Sequence, residues 1–282
     1  MTRVTDKSFT SAGLTIAAVE WSGEVPTIAL HGWLDNCSSF DPVLPFCPRL
    51  NCLAIDLAGH GLSGHRGPGC HDYTFVEYVA DVVFVANQMN WKKFNLLGHS
   101  MGAAISLLFA GICPDRVEKI FLIDGFAPLS AQESDFLLRC QKFIAESTAP
   151  ASKLREFASL EEAGNARTRV GNLSQNAAEL LSKRSTKLTK NNGYEWRSDA
   201  RLKQTSPQRL TPGQVDVVLK NISCPVHLLR ATHPGFEIDE SLNTKFSESL
   251  TQFTMETMEG GHHLHMDQPE LVANKINNFF SL

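Results

Sequence analysis

The chain has 282 residues and a mass of 31.1 kDa, a length that suits two domains or one large α/β domain carrying an insertion. Hydrophobic residues make up 43% and charged residues 20%, a balance that excludes a largely disordered or collagen-like chain. The net charge is −4, and because the sequence has no run of Lys and Arg, we exclude nucleic-acid binding.

Short apolar runs in the first half of the chain predict β-strands. These runs are Leu14–Glu20, Thr27–Leu30, Cys52–Leu57, Phe94–Gly98 and Ile120–Asp124. Most of them are almost continuously apolar, as expected when helices cover both faces of a parallel sheet. Helical spacing of apolar residues from Phe75 to Met89, and the apolar run Ala103–Cys113, predict intervening helices. This alternation predicts an α/β fold with a doubly wound, mostly parallel sheet.

The pattern changes from Phe126 to about Thr211, where polar residues dominate and apolar residues take helical spacing. We predict no strand there and interpret residues 126–211 as a helical cap or lid, inserted after the sixth strand. Residues 1–125 and 212–282 then form the core domain. The last part of the core domain is predicted to contain two strands, in the runs Pro225–Ala231 and Gln252–Met258. It is also predicted to contain two helices, in the segments Glu240–Leu250 and Glu270–Phe280.

Two further features concern the compartment. The longest apolar stretch, Met101–Cys113, is too short to span a bilayer, and the sequence MTRVTDKSFT lacks the apolar core of a signal peptide. The cysteines are odd in number and contain no CxxC pair, which favours free thiols in a reducing compartment. They are Cys37, Cys47, Cys52, Cys70, Cys113, Cys140 and Cys224. We therefore expect a cytoplasmic protein without a membrane span.

Residues Gly98-His99-Ser100-Met101-Gly102 form a G-x-S-x-G sequence between a predicted strand and a predicted helix. A sharp turn at this place strains the backbone of the central residue, and side chains at the flanking positions would collide. The turn would expose the hydroxyl of Ser100, and the amide of Met101 would point to the same spot from the helix N-terminus. The motif predicts a nucleophilic serine with one donor for an oxyanion.

The chain resembles the α/β-hydrolase fold family in the order and spacing of several motifs. These are HGWLDNCSSF after one strand, DLAGHGLSG after the next, GHSMG, and GGHHLHMDQPE near the end of the sequence. With the IDGF segment, they are most similar to the serine hydrolase-like proteins of that family. The resemblance implies acyl hydrolysis and does not name the substrate.

The family pattern also implies partners for Ser100. The second oxyanion donor would be the amide of Trp33, which follows His31-Gly32, although Trp33 could simply cap the core. The general base would be the histidine that directly follows a glycine, which selects His262 over His263 and His265. A zinc site built from these three histidines is the rival, but H-H-x-H has neither HExxH spacing nor a nearby cysteine pair.

The acid of the triad is where the sequence departs from the family. Its usual place, a few residues after the Pro225–Ala231 strand, reads ATHPGF and holds no carboxylate. Asp124, at the end of its strand, is one solution. Glu237, or with less weight Asp239, is the alternative if the irregular loop folds back. Asp124 could also be a buried carboxylate that bonds loop amides.

These residues predict a serine hydrolase that cleaves small to medium, apolar carboxylic esters through an acyl-enzyme, with no cofactor and no metal. Because the elbow carries Ser100 and no carboxylate nucleophile, the chemistry of haloalkane dehalogenases and epoxide hydrolases is disfavoured. The same triad could serve a carbon-carbon bond hydrolase acting on diketone-like substrates. A non-catalytic, ligand-binding member of the fold is the third interpretation. The expected partner is a small-molecule acyl substrate.

Overall fold

The computed structural model describes residues 3–67, 72–128, 130–149, 155–171, 173–234 and 240–282. Its strands are β1 (Arg3–Ser11), β2 (Leu14–Trp21), β3 (Val25–Leu30), β4 (Leu50–Ile55), β5 (Phe94–His99), β6 (Val117–Ile123), β7 (Thr186–Leu188), β8 (Tyr194–Trp196), β9 (Val226–His233) and β10 (Phe253–Gly261). The main sheet has the order β1-β2-β4-β3-β5-β6-β9-β10, and only the β1–β2 and β2–β4 pairs are antiparallel. The predicted doubly wound, mostly parallel sheet is confirmed.

Helices cover both faces of this sheet. They are α1 (Phe75–Gln88), α2 (Met101–Ile112), α3 (Phe136–Thr148), α4 (Leu160–Gly171), α5 (Gln175–Ser185), α6 (Pro212–Lys220), α7 (Glu240–Glu248), α8 (Leu264–Asp267) and α9 (Pro269–Phe280). Leu96 of β5 packs with residues of α1, α2 and α6, whereas its neighbour Leu97 packs with residues of α9. Successive strand residues face opposite sides, so a strand covered on both faces is apolar throughout. None of the helices in the described ranges is long and apolar enough to cross a membrane.

Strand β1 is an element that the sequence does not predict. It pairs with β2 through a tight turn at Ala12 and Gly13, whose φ angles are +46° and +81°. Its one neighbour in the described sheet is β2, and among residues 5–11, whose burial is described, just Phe9 and Ser11 are buried. An edge strand with so little apolar surface leaves no clear pattern in the sequence.

The segment between β6 and α6 contains α3, α4 and α5, as its helical spacing predicts. It also contains β7 and β8, which pair antiparallel, whereas the sequence analysis predicts no strand there. Each has three residues, which is too short for an alternating pattern to stand out, and a polar connection with Asn192 at φ +61° joins them. The prediction of an all-helical insertion is wrong in this detail.

Candidate active site

Ser100 lies at the sharp turn between β5 and α2. Its φ and ψ angles are +51° and −114°, a strained conformation for a residue with a side chain. The turn is tight: a Cβ on Gly98 would lie 2.6 Å from the carbonyl oxygen of Gly102, so a side chain has no room there. The amide of Ser100 donates to the carbonyl of Ile123 at 3.0 Å, which fixes the turn to the neighbouring strand β6. The G-x-S-x-G sequence therefore adopts the predicted strand-turn-helix geometry.

Asp124 directly follows β6 and is 2% exposed. Its φ is +38°, and its amide donates to the carbonyl of Leu229 at 2.8 Å. One carboxylate oxygen, Oδ1, accepts from the amide of Ala231 at 2.9 Å, and the other, Oδ2, lies 2.6 Å from Nδ1 of His262. The structure thus brings together Asp124 and His262, whereas Glu237 and Asp239 lie outside the described residues.

His262 lies in the loop between β10 and α8, and its side chain is 11% exposed. Because a carboxylate only accepts hydrogen bonds, Nδ1 of the ring is the donor to Asp124. In the neutral ring, Nε2 then carries the lone pair that a general base needs. The carbonyl of His262 accepts a hydrogen bond from Nε2 of His99 at 3.0 Å, so the residue before Ser100 also holds this loop.

The amides of Trp33 and Met101 are the oxyanion donors that the family pattern implies. In the loop after β3, the ring of His31 bonds the carbonyl of Gly32 at 2.7 Å and accepts from the amide of Leu57 at 3.0 Å. Within the described residues, the amides of Trp33 and Met101 donate to no protein acceptor. Trp33 is 46% exposed, and its indole donates to the carbonyl of Leu202 in the inserted segment at 3.0 Å. A role in capping the core does not fit that exposure.

His263 and His265, the alternatives for the base, have different surroundings. Nε2 of His263 lies 3.2 Å from Oδ2 of Asp35, and both residues are buried. The ring of His265 is buried 4.4 Å from that of His99, and within the described residues neither of its nitrogens has a hydrogen-bond partner. Burial holds the pKa of His265 well below its usual value.

Asp35 is the centre of a second buried cluster. Its Oδ1 accepts from Nη2 of Arg167 in α4 at 2.7 Å, while its Oδ2 faces His263 and lies 3.6 Å from Nδ1 of His99. Burial alone would raise the pKa of Asp35, but the contact with His263 and the charge of Arg167 hold it well below its usual value. Burial lowers the pKa of His99 to about 4, although the nearby carboxylate of Asp35 raises it.

The inserted segment is fixed to the core around these residues. Besides the Arg167–Asp35 ion pair, Nδ2 of Asn36 donates to the carbonyl of Leu181 at 2.9 Å. Nε of Arg184 donates to Oδ2 of Asp56 at 2.8 Å. No sequence motif indicates Asp35 or Arg167 as a site residue, although Asp35 stands two residues after Trp33 in the motif HGWLDN. Potential metal ligands on Asp35, His99 and His263 lie within 4.8 Å of one another.

The comparisons with known proteins agree with this architecture. The sequence model described as alpha/beta hydrolase fold matches residues 26–269. The chain is 31% identical to a serine hydrolase-like protein of Danio rerio, with 90% of this chain and 81% of that protein aligned. It is 29% identical to serine hydrolase-like protein 2 of Homo sapiens, with coverages of 94% and 90%. A crystal structure of a hypothetical protein from Pseudomonas aeruginosa PAO1 is 37% identical, with a TM-score of 0.92 and coverages of 99% and 100%.

Proposed function

Because the chain belongs to the α/β-hydrolase fold family, we propose that it is a serine hydrolase that cleaves carboxylic esters through an acyl-enzyme. In this proposal Ser100 is the nucleophile, His262 the general base and Asp124 the acid that orients it. The amides of Trp33 and Met101 form the oxyanion hole. No metal and no cofactor takes part in these steps.

One observation carries the proposal, namely the 2.6 Å contact between Asp124 and His262. Asp124 follows β6, the strand beside that of Ser100, so the acid and the nucleophile leave the same edge of the sheet. The amide of Ala231 satisfies the other carboxylate oxygen of Asp124 and is neutral, so the negative charge remains available to a protonated His262. A chain that had lost its acid would not need this arrangement, which disfavours the non-catalytic interpretation.

The reaction follows from these roles. The Oγ of Ser100 attacks the ester carbonyl carbon while Nε2 of His262 takes the hydroxyl proton, and the amides of Trp33 and Met101 bind the oxyanion. His262 then gives this proton to the leaving alcohol oxygen, and the acyl group stays on Ser100. A water molecule, deprotonated by His262, attacks the acyl-enzyme, releases the carboxylic acid and restores the hydroxyl of Ser100.

The substrate class rests on the surroundings of these groups. A half-exposed Trp33 beside the proposed oxyanion hole offers an apolar surface to an acyl chain. Because its indole is bonded to Leu202, residues 126–211 contact the loop that carries the oxyanion donor, which supports a lid role for this segment. We therefore expect small to medium, apolar acyl groups. Six described cysteines are free, which supports the expected reducing, cytoplasmic compartment.

The test is covalent labelling with a fluorophosphonate probe, measured by intact mass, followed by turnover of p-nitrophenyl esters with increasing acyl length. We expect one adduct per chain, absent in Ser100→Ala, and highest turnover for short to medium acyl chains. Ser106→Ala is the matched control, because the Ser106 hydroxyl is buried in α2 and bonded to the carbonyl of Gly102 at 2.7 Å. This variant should label like the wild type.

Two outcomes would contradict the proposal. Absence of an adduct in the folded wild type would favour a non-catalytic binding protein. An adduct at Ser100 with turnover of diketones and none of any ester would favour the carbon-carbon bond hydrolase.

A further inference from the structure

We propose that Asp35, His99 and His263 form a binding site for a divalent transition-metal ion of the Zn²⁺ type. Oδ2 of Asp35 lies 3.2 Å from Nε2 of His263 and 3.6 Å from Nδ1 of His99, and the three atoms lie within 4.8 Å of one another. Tetrahedral Zn²⁺ binds nitrogen and oxygen at about 2.0–2.1 Å, which places neighbouring ligand atoms roughly 3.3 Å apart. Two of these separations are therefore close to those of a metal site.

The orientation of the His99 ring points to a positive ligand. Its Nε2 faces the carbonyl of His262 at 3.0 Å, and because a carbonyl only accepts, this nitrogen must carry the proton. In the neutral ring, Nδ1 then has a lone pair that faces the carboxylate of Asp35. His99 is 1% exposed, and its Nδ1 has no hydrogen-bond partner within the described residues. A cation between two buried acceptors that face each other would stabilise both, and a metal ion can supply that charge.

The other groups around the site leave these ligand atoms available. Arg167 bonds Oδ1 of Asp35, so Oδ2 remains for the ion, although the guanidinium charge will weaken the affinity. His263 would bind through Nε2 by moving its proton to Nδ1, which has no partner within the described residues. The ring of His265 lies beside that of His99, and its nitrogens bond neither Asp35 nor any other described residue.

The donor set selects the class of ion. Two imidazole nitrogens and one carboxylate oxygen suit Zn²⁺, Co²⁺, Ni²⁺ and Cu²⁺, whereas Mg²⁺ and Ca²⁺ prefer oxygen ligands. The spacing of the histidines within GGHHLHMDQPE does not predict this site, because His263 is its only ligand from that motif. The other two ligands come from segments that only the fold brings together.

The position of the site suggests what the ion does. Asp35 lies two residues after Trp33, His99 directly precedes Ser100, and His263 directly follows His262. An ion held by these three residues would link the segments that carry the oxyanion donor, the nucleophile and the base. It would also strengthen donation from His99 to the carbonyl of His262. This consequence for catalysis rests on the proposed function, whereas the binding of the ion does not.

The experiment uses the full chain, freed of metal with EDTA and dialysed, then titrated with Zn²⁺ and Co²⁺. We expect one ion per chain by elemental analysis, the visible absorption bands of tetrahedral Co²⁺, and a rise in Tm that EDTA reverses. Ser100→Ala should bind equally well, so that metal binding is measured separately from hydrolase activity. His263→Gln and Asp35→Asn should each weaken Zn²⁺ binding at least tenfold.

His233→Gln is the matched control, because the His233 side chain is 71% exposed and lies outside the cluster. It should bind Zn²⁺ like the wild type, while Mg²⁺ should leave the Tm of every variant unchanged. Circular dichroism of the metal-free variants checks that they are folded, and the Co²⁺ spectrum of the wild type does not depend on any variant. Failure of the folded wild type to bind Zn²⁺ or Co²⁺ would overturn the site. Stoichiometric binding retained in both ligand variants would overturn it equally.

Discussion

Two adjacent histidines each contact a buried aspartate, yet the two pairs have different surroundings. In the Asp124–His262 pair, a backbone amide satisfies the second carboxylate oxygen, and the His262 side chain is 11% exposed. In the Asp35–His263 pair, the guanidinium of Arg167 takes that place, and the His263 side chain is 4% exposed. A neutral amide leaves the charge of the carboxylate to the imidazole, whereas a guanidinium neutralises it. The first pair therefore suits proton transfer and the second suits structural or metal-binding roles.

Replacing Asp124, the proposed acid of the first pair, should have the largest effect. In Asp124→Asn, the amide can donate to Nδ1 of His262 and favour the wrong tautomer, so we expect kcat to fall about 10³- to 10⁴-fold. Ester hydrolysis under saturating substrate measures this loss, with circular dichroism as the check of folding. Glu237→Gln is the control and should retain kcat within about twofold. The reverse result, a loss in Glu237→Gln and none in Asp124→Asn, would assign the role of the acid to Glu237.

Replacing Asp35, the aspartate of the second pair, should change the stability of the protein more than its catalytic rate. Asp35→Asn leaves Arg167 buried without its counter-charge, so the free energy of unfolding should fall by about 3 kcal/mol. Urea denaturation in EDTA measures this change without a metal contribution. In the double variant Asp35→Asn/Arg167→Met, part of the lost stability should return because the unpaired cation is gone. A kcat loss in Asp35→Asn as large as that in Asp124→Asn, with unchanged stability, would refute the distinction between the pairs.

The sequence predicts the sheet well because its central strands are buried on both faces. Runs such as Phe94–Gly98 and Ile120–Asp124 are apolar at almost every position, and that pattern requires no knowledge of distant contacts. The position of Asp124 follows from the same pattern, because it marks the end of its strand. Strand β1 at the edge and the short β7–β8 pair lack this constraint, so their residues carry no comparable signal.

The contacts of the Asp35–His263 pair cannot be predicted from local sequence patterns, because its members are far apart in the chain. Asp35 is 132 residues from Arg167 and 228 residues from His263 in the chain, and no local spacing links them. Each looks like an ordinary polar residue of a loop or a helix when read alone. Only the tertiary fold, in which the segments after β3 and β10 and helix α4 meet, places these side chains in contact. Local spacings such as HExxH or CxxC therefore cannot indicate this cluster.

His60 is a buried histidine that bonds no carboxylate within the described residues. Its replacement should have a smaller effect than replacement of Asp124 or Asp35. His60 is 1% exposed, its Nδ1 bonds the carbonyl of Ala58 at 3.1 Å, and burial together with the neighbouring His31 lowers its pKa to about 3. Because the folded pKa lies below the unfolded value of about 6.5, the unfolded chain binds more protons between pH 6.5 and pH 3. Stability is therefore complete above that window and is lost as the pH falls through it.

The variant His60→Asn keeps a donor near the carbonyl of Ala58 but cannot be protonated in this range. As the pH falls from 6 to 5, the wild type should lose about 1 kcal/mol of unfolding free energy relative to this variant. Urea denaturation in EDTA at several pH values measures it. Parallel curves for the two proteins from pH 7 to pH 5 would mean that His60 takes up no proton on unfolding. Burial alone would then not suffice to keep a histidine neutral here.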